Sequence, residues 1–424
     1  MSEKVIFHVD ANSAFLSWTA AYRVKVLGES FDLRTVPSAI GGDRDNRQGV
    51  ILAKSQPAKK FGIQTGEPIG RALQKCPELI VAPADYSLYV AASRKMISLL
   101  REFSPAVEQY SIDEAWVDMT GTQRLYGDPL LAAERLKTQV RERLGFTVNV
   151  GISTNKLLAK LAGDFEKPDK IHTLYPQEIR QKLWPLPVRD LFMVGPATER
   201  KLHMMGIYTI GALAQANPDF LRSKLNKPGV TLWHYANGRG EETLVLQQPD
   251  NQGYGNAVTT AADVTERRAA HEVLLSLCET VGMRMRRDGK YGGCVGVSLR
   301  SAQFENWGSQ SKLENRTDST EELYRAACRV FDQAWDGTTP LRQLGVHVTQ
   351  ISSEHYRQFD FWQVQSAAGF ERKARLDSVV DDLRERYGER AIFRGSFVGV
   401  ERHMAGGLSK ERRTGITKPI PKEF

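Results

Sequence analysis

Val107-Glu108-Gln109-Tyr110 and Ala115-Trp116-Val117-Asp118, split by the tight Ser111-Ile112-Asp113-Glu114, read as two short strands of a hairpin with carboxylates at its tip. Tyr86–Phe103 precedes them, with Leu88, Val90, Ala91, Met96, Ile97, Leu99 and Leu100 at helical spacing, and is closed by Ser104-Pro105. A helix (Pro129–Leu144), a strand (Thr147–Ile152) and another helix (Asn155–Phe165) follow. Far upstream, Val5-Ile6-Phe7-His8-Val9 is a β-prone run that stops at Asp10 and leads into an apolar-rich helical segment, Ala14–Leu27. Together these give a β-α-β-β-α-β unit.

In a sheet where the first strand neighbours the hairpin, Asp10, Asp113 and Glu114 converge at one edge. Converging carboxylates repel one another, so something must neutralise them. A hard divalent cation does so, and oxygen-only ligands with no His or Cys pair nearby select Mg²⁺ or Mn²⁺ over zinc. A plainer reading is equally open on spacing alone: Asp113-Glu114 as an exposed polar turn, and Asp10 as a cap for the next helix.

The chain has 424 residues, 25% charged and 41% hydrophobic, a length that points to two to four domains. No stretch has the roughly 18 uncharged apolar residues of a membrane span, and Asp10 interrupts the opening run too early for a secretory signal, so a cytoplasmic protein is expected. Cys76, Cys278, Cys294 and Cys328 lie far apart with no CxxC pairing, which argues against disulfides and structural zinc. A net charge of +8 suggests a polyanionic partner. Half of it falls in the helical, Gly-punctuated stretch 184–240, where Arg189, Arg200, Lys201, Arg222, Lys224, Lys227 and Arg239 face Asp190, Glu199 and Asp219. A second β-α-β-β-α-β pattern covers about 255–350, with 12 basic and 12 acidic residues.

His8-Val9-Asp10-Ala11-Asn12-Ser13-Ala14-Phe15, the Tyr110–Ala115 hairpin and Gly151-Ile152-Ser153-Thr154-Asn155-Lys156-Leu157-Leu158-Ala159-Lys160-Leu161-Ala162 resemble the motifs of Y-family translesion DNA polymerases, the DinB (polymerase IV) and UmuC branches above all. The resemblance runs in order from about Val5 to Ser396. It implies an α+β right-hand polymerase: a ferredoxin-like palm (1–30 and 76–170), small fingers (31–75), a helical thumb with a helix-hairpin-helix (171–240), a linker (241–253), a β-α-β-β-α-β little finger (254–352) and a C-terminal tail (353–424). It also implies low-fidelity, template-directed synthesis on primer-template DNA from dNTPs; a monomeric enzyme is expected, and, as the sequence shows no second, exonuclease-like acidic cluster, one without proofreading.

Carried over position by position, the resemblance makes Asp10, Asp113 and Glu114 the catalytic ligands of two Mg²⁺ ions, with Mn²⁺ as a substitute and the Ala11 carbonyl completing the site. Phe15 falls on the steric-gate position that excludes a ribose 2′-OH; otherwise it is one more apolar helix residue. Lys167 matches a lysine that contacts the triphosphate, as a point charge. In the fingers, Gln56 stands where the family usually has Tyr, and Lys59 where it often has Arg, while Pro57 removes a backbone donor. These changes point to altered triphosphate handling in an active enzyme.

Val194-Gly195-Pro196-Ala197-Thr198, before a helix carrying Arg200 and Lys201, resembles a helix-hairpin-helix, a binder of DNA phosphates through backbone N–H groups. In the neutral second unit, Arg284, Arg286, Arg287 and Lys290 cluster at a helix end, where they serve DNA or simply the helix dipole. Gln358-Phe359-Asp360-Phe361-Trp362 looks like the pentapeptide by which bacterial polymerases bind the sliding clamp, with bulkier aromatics; the alternative is aromatics folded back on the little finger. Two competing functions remain: a catalytically weak or inactive family member that competes for primer ends or clamp, and another two-metal palm enzyme such as a nucleotide cyclase, which the helix-hairpin-helix-like segment disfavours.

Overall fold

Strand β1 (Ile6–Ala11) alternates: Phe7, Val9 and Ala11 join one apolar core, while Ile6, His8 and Asp10 point to the opposite face. A computed structural model describes residues 4–42, 49–247, 250–354, 367–387, 391–392 and 394–397. After β1 come α1 (Ala14–Lys25), β2 (Ser38–Gly41), β3 (Ile51–Lys54), α2 (Gln56–Lys60), α3 (Ile69–Lys75), β4 (Ile80–Pro83) and α4 (Tyr86–Phe103). The chain continues through β5 (Val107–Gln109), β6 (Glu114–Asp118), α5 (Gln123–Tyr126), α6 (Pro129–Gln139), β7 (Val148–Ser153), α7 (Lys156–Asp164) and β8 (Ile171–Thr173).

The first large sheet has the order β5-β6-β1-β7-β8, with β1 between and antiparallel to β6 and β7. Without β8 this is the ferredoxin-like order expected of the palm. Strand β8, parallel to β7, is an addition that its three short residues did not signal. One face is covered by α1, α4 and α6 over a core that includes Trp18, Tyr89, Met96, Leu100 and Leu136. Helix α7 covers the other face so closely that a Cβ on Gly151 would lie 1.9 Å from the Ala159 carbonyl oxygen. The expected helix 129–144 is α-helical to Gln139 and ends in a wider π-type turn, Val140–Leu144, closed by Gly145 at φ 81°.

A separate sheet, β3-β2-β4, lies in the stretch expected to form the fingers. Because β4 pairs in parallel with β2, this unit reaches Pro83, beyond the boundary at residue 75 read from the sequence. Helices α8 (Pro196–Met204), α9 (Ile210–Gln215) and α10 (Pro218–Ala236, broken at Asn226) gather around Leu202, Ile210, Leu213 and Leu221. They share that core with Leu158 and Leu161 of α7, so the thumb is seated on the palm.

The second αβ unit comprises β9 (Tyr254–Val264), α11 (Arg267–Arg287), β10 (Gly292–Ser301), β11 (Asn306–Thr317), α12 (Thr320–Ala334) and β12 (Leu341–Thr349). Its sheet order is β11-β10-β12-β9, all antiparallel. The two units thus share element order but differ in strand order, and only the first is ferredoxin-like. Helix α13 (Ala367–Tyr387) packs back onto α11 through ion pairs. Among the described residues no helix is long and apolar enough to cross a membrane.

Candidate active site

The sheet register brings two of the three carboxylates together: Asp10 lies directly opposite Glu114 on one side and Asn149 on the other. Asp113 belongs to the turn, whose backbone carbonyl accepts from the Ala11 N–H at 3.0 Å. Ser111 shapes that turn: its Oγ accepts from the N–H groups of Asp113 (3.3 Å) and Glu114 (3.1 Å) and donates to Asp113 Oδ1 at 2.6 Å. Helix α1 is capped at Ser13, in the left-handed conformation, so Asp10 is not a helix cap. Glu114, at the base of β6, is mostly buried rather than part of an exposed turn.

Asp10 and Glu114 are each met by a cationic side chain. Glu114 Oε2 accepts from His8 Nε2 at 2.9 Å and from the Lys160 ammonium, which also lies over the rings of Tyr110 and Phe192. Burial by itself would push the Glu114 carboxyl up; the hydrogen bonds from His8 and Lys160 reverse this and hold it at about 2. Asp10 pairs with Lys167, yet burial still raises its pKa above the ordinary aspartate value. Burial pulls Lys167 the other way, and Asp10 and Asp164 together carry it above the usual lysine range. Among the described residues no three acidic, His or Cys side chains adopt a ready metal-holding cluster. The three carboxylates line the same space while turned toward separate protein partners.

That space is a cleft of about 380 Å³ bounded by Asp10, Ala11, Phe15, Gln56, Lys59, Asp113, Glu114 and Lys167. Phe15 lies flat on Tyr89, with ring centres 4.3 Å apart and planes at 4°, and meets Tyr86 edge-on. Gln56 and Lys59 stand exposed on α2, whose N-cap is Ser55, its Oγ accepting from the Ala58 N–H at 3.1 Å. Pro57 occupies the first turn of α2, where a backbone donor has no helical partner to lose.

Residues 9–164 match the impB/mucB/samB family, residues 176–207 the IMS family HHH motif, and residues 251–361 the impB/mucB/samB family C-terminal domain. A protein of Clostridium acetobutylicum named DNA polymerase IV is 43% identical over 391 residues, covering 92% of this chain and 97% of its own. The chain belongs to the Y-family of DNA polymerases. A second relative, DNA polymerase IV 2 of Bacillus subtilis, is 36% identical and spans 98% of both chains. In fold, a solved Y-family DNA polymerase chimera superposes with a TM-score of 0.68 at 21% identity, covering 82% of this chain and 99% of its own.

Outside the cleft, the residues singled out from the sequence separate. Gly195 caps α8, and Arg200 and Lys201 are exposed on it. Arg284 lies over the ring of Tyr254 and donates to the Gly255 carbonyl, and Arg287 is exposed beside Asp288. Arg286 is a correction: its guanidinium turns inward, grips Asp381 through two nitrogens at 2.7 and 3.1 Å, and reaches Asp377 and the Asp318 carbonyl. A helix-end arginine looks the same in sequence whether it faces solvent or a returning helix. Gln358, Phe359, Phe361 and Trp362 lie outside the described residues.

Four polar residues of the site went unread in the sequence: His8, Asn12, Asn149 and Lys160, all buried. A signal existed for Lys160, a charged residue within the apolar run Leu157–Ala162. Because the Glu114 carboxyl falls from an ordinary 4.5 to about 2 on folding, its contribution is fully present above pH 4.5 and fades as pH drops toward 2. Lys160→Met removes one of the two donors that hold it down. The variant is expected to lose about 2 kcal/mol at pH 7 and to show a shallower decline between pH 4.5 and 2, read from thermal unfolding against pH.

Proposed function

We propose that this chain extends a DNA primer on a template strand, adding deoxynucleotides across damaged bases with low fidelity. The observation that carries the reading is the single cleft in which the three carboxylates meet Phe15, Lys167 and the fingers residues Gln56 and Lys59.

The donor set fits hard divalent cations: three carboxylates and a backbone carbonyl, oxygen only, with Asp10 destabilised by burial in a way that added positive charge would relieve. Asp10, the Ala11 carbonyl, Asp113 and Glu114 would hold them after the side chains turn from their present partners. When bound, two Mg²⁺ ions supply activation of the attacking primer hydroxyl and charge neutralisation at the triphosphate. No protein base is required of this site, since positioning and charge stabilisation carry most of such a transfer.

The chain's own residues do the positioning. Lys167 offers an ammonium to the triphosphate, and Lys59, exposed on α2, supplies a second charge with a point-like rather than forked geometry. Phe15, braced flat against Tyr89, walls off the volume a 2′-hydroxyl would need. In the thumb, Arg200 and Lys201 stand exposed in the second turn of α8, one turn beyond the helix start where backbone N–H groups can meet a phosphate.

The open face of the second sheet supports DNA contact in spite of its zero net charge. Gly296 and Gly345 keep it flat, and Arg300, Asn306, Gln310, Gln343 and His347 line a shallow groove of about 460 Å³ along it. The Gln358–Trp362 stretch would add large apolar anchors for a sliding clamp.

Primer extension with Mg²⁺ and dNTPs tests the reading: Asp113→Ala should cut the rate by about three orders of magnitude or more, and equal extension by the mutant would sink it. Phe15→Ala should raise ribonucleotide incorporation relative to dNTP; unchanged sugar selection would remove Phe15 from the gate. In DNA-binding titrations against salt, the Arg200→Ala, Lys201→Ala double variant should weaken binding and shallow the slope by about 1 to 2. Arg286→Ala should leave that slope unchanged and lower the melting temperature instead.

A further inference from the structure

We propose that Asn149 is a positioning residue for nucleotide binding, a buried amide that holds the loop carrying Lys167 in register with Asp10. Asn149 has no exposed surface, is the second residue of β7 and is the cross-strand partner of Asp10. On an inward-facing strand position an apolar residue would be the ordinary choice, because an amide there costs free energy unless every polar atom is partnered.

Here all of its bonding capacity is used. Asn149 Nδ2 donates to the Gly163 carbonyl at 3.0 Å and the Glu166 carbonyl at 2.7 Å. Asn149 Oδ1 accepts from the Lys170 N–H at 3.2 Å and from Asn12 Nδ2 at 3.0 Å. The two loop contacts, Glu166 and Lys170, bracket Lys167. Asn12 adds a third tie, its Oδ1 accepting from the Asp169 N–H at 2.9 Å and from Thr147 Oγ1 at 2.9 Å. Lys137 of α6 supplies a fourth by donating to the Asp169 carbonyl at 2.8 Å. The loop is therefore clamped by side chains from the sheet and α6, and the clamp's centre lies on the strand position opposite Asp10, the carboxylate that Lys167 meets. Such a clamp fixes where the ammonium stands before a triphosphate arrives, so the ordering is complete before binding rather than a cost of it.

The inference rests on the reading that Lys167 contacts the triphosphate, so Lys167→Ala is measured in parallel. Asn149→Ala is expected to raise KM for dNTP about tenfold while changing kcat less than about threefold, with the Kd for primer-template DNA unchanged. Equilibrium titration of dNTP onto a complex with a dideoxy-terminated primer, which cannot react, should show the same weakening. Lys137→Met, which removes only the outer tie, should move KM in the same direction by a smaller factor and serves if Asn149→Ala does not fold.

A merely structural amide would lower the melting temperature and the active fraction, and so the apparent kcat, without moving KM or the dNTP titration; that result overturns the proposal. If Lys167→Ala weakens dNTP binding while Asn149→Ala and Lys137→Met do not, the positioning role fails and the reading of Lys167 stands. If Lys167→Ala itself has no effect, both fall.

Discussion

Two carboxylates face each other across neighbouring strands in the middle of a sheet, and the rest of the palm is arranged around that repulsion. Asp10 and Glu114 are register partners, so no side-chain rotation can move them far apart. The fold answers by giving each a separate cation: Lys167 for Asp10, and Lys160 with His8 for Glu114. Both lysines come from α7 and the loop that follows it. For Lys160 to reach Glu114, that helix must lie nearly in contact with the strands, and Gly151, facing the Ala159 carbonyl without a Cβ, makes the approach sterically open. Burial of the Glu114 pair is tolerable because His8 adds a second donor and the rings of Tyr110 and Phe192 lie against Lys160, whereas Asp10 stays destabilised by its burial.

Much of this was readable in the residues, for physical reasons that can be named. Helix Tyr86–Phe103 carries an unbroken apolar stripe and ends at Ser104-Pro105, and the structure gives it the same limits. The hairpin and its acidic tip were marked by two β-prone runs around four turn residues. The β-prone run Val5–Val9 marked a strand with Asp10 at its end, though not that both of its faces are buried. What escaped was non-local. His8 reads as one more strand residue until Glu114 is placed beside it, and Asn149 reads as a stray polar residue until the loop 166–170 folds over it. The extra strand β8 is three residues long, too short for period-two alternation to register.

Charge counting shows the same division. The neutral total of residues 255–350 hides two populations: a polar, glycine-flattened sheet face and an acidic and basic network on the helical side. In that network Glu279, nearly inaccessible, accepts from Arg384 at 3.1 Å and from Arg394 at 2.7 Å, while Asp377 and Asp381 take Arg286. Helix α13 and Arg394 are thus tied to the helical side of the second αβ unit. A sum over residues has no means of telling a paired interior charge from one offered to a phosphate backbone.

The chain between thumb and little finger holds one more consequence. Its first part does not hang free: the Val245 N–H donates to Glu108 Oε2 at 2.7 Å, Lys156 bridges Glu108 and Glu241, and Leu244 packs against Trp116 and Ile6. Its far end is held as well: Lys290 Nζ donates to Asp250 Oδ2 at 2.6 Å and Asn251 Nδ2 to the Tyr254 hydroxyl at 3.3 Å. Thirteen free residues, the length of 241–253, would span about 45 Å fully drawn out. Pinning both ends confines the little finger to a volume well below what that length would allow, and raises its effective concentration at the palm accordingly.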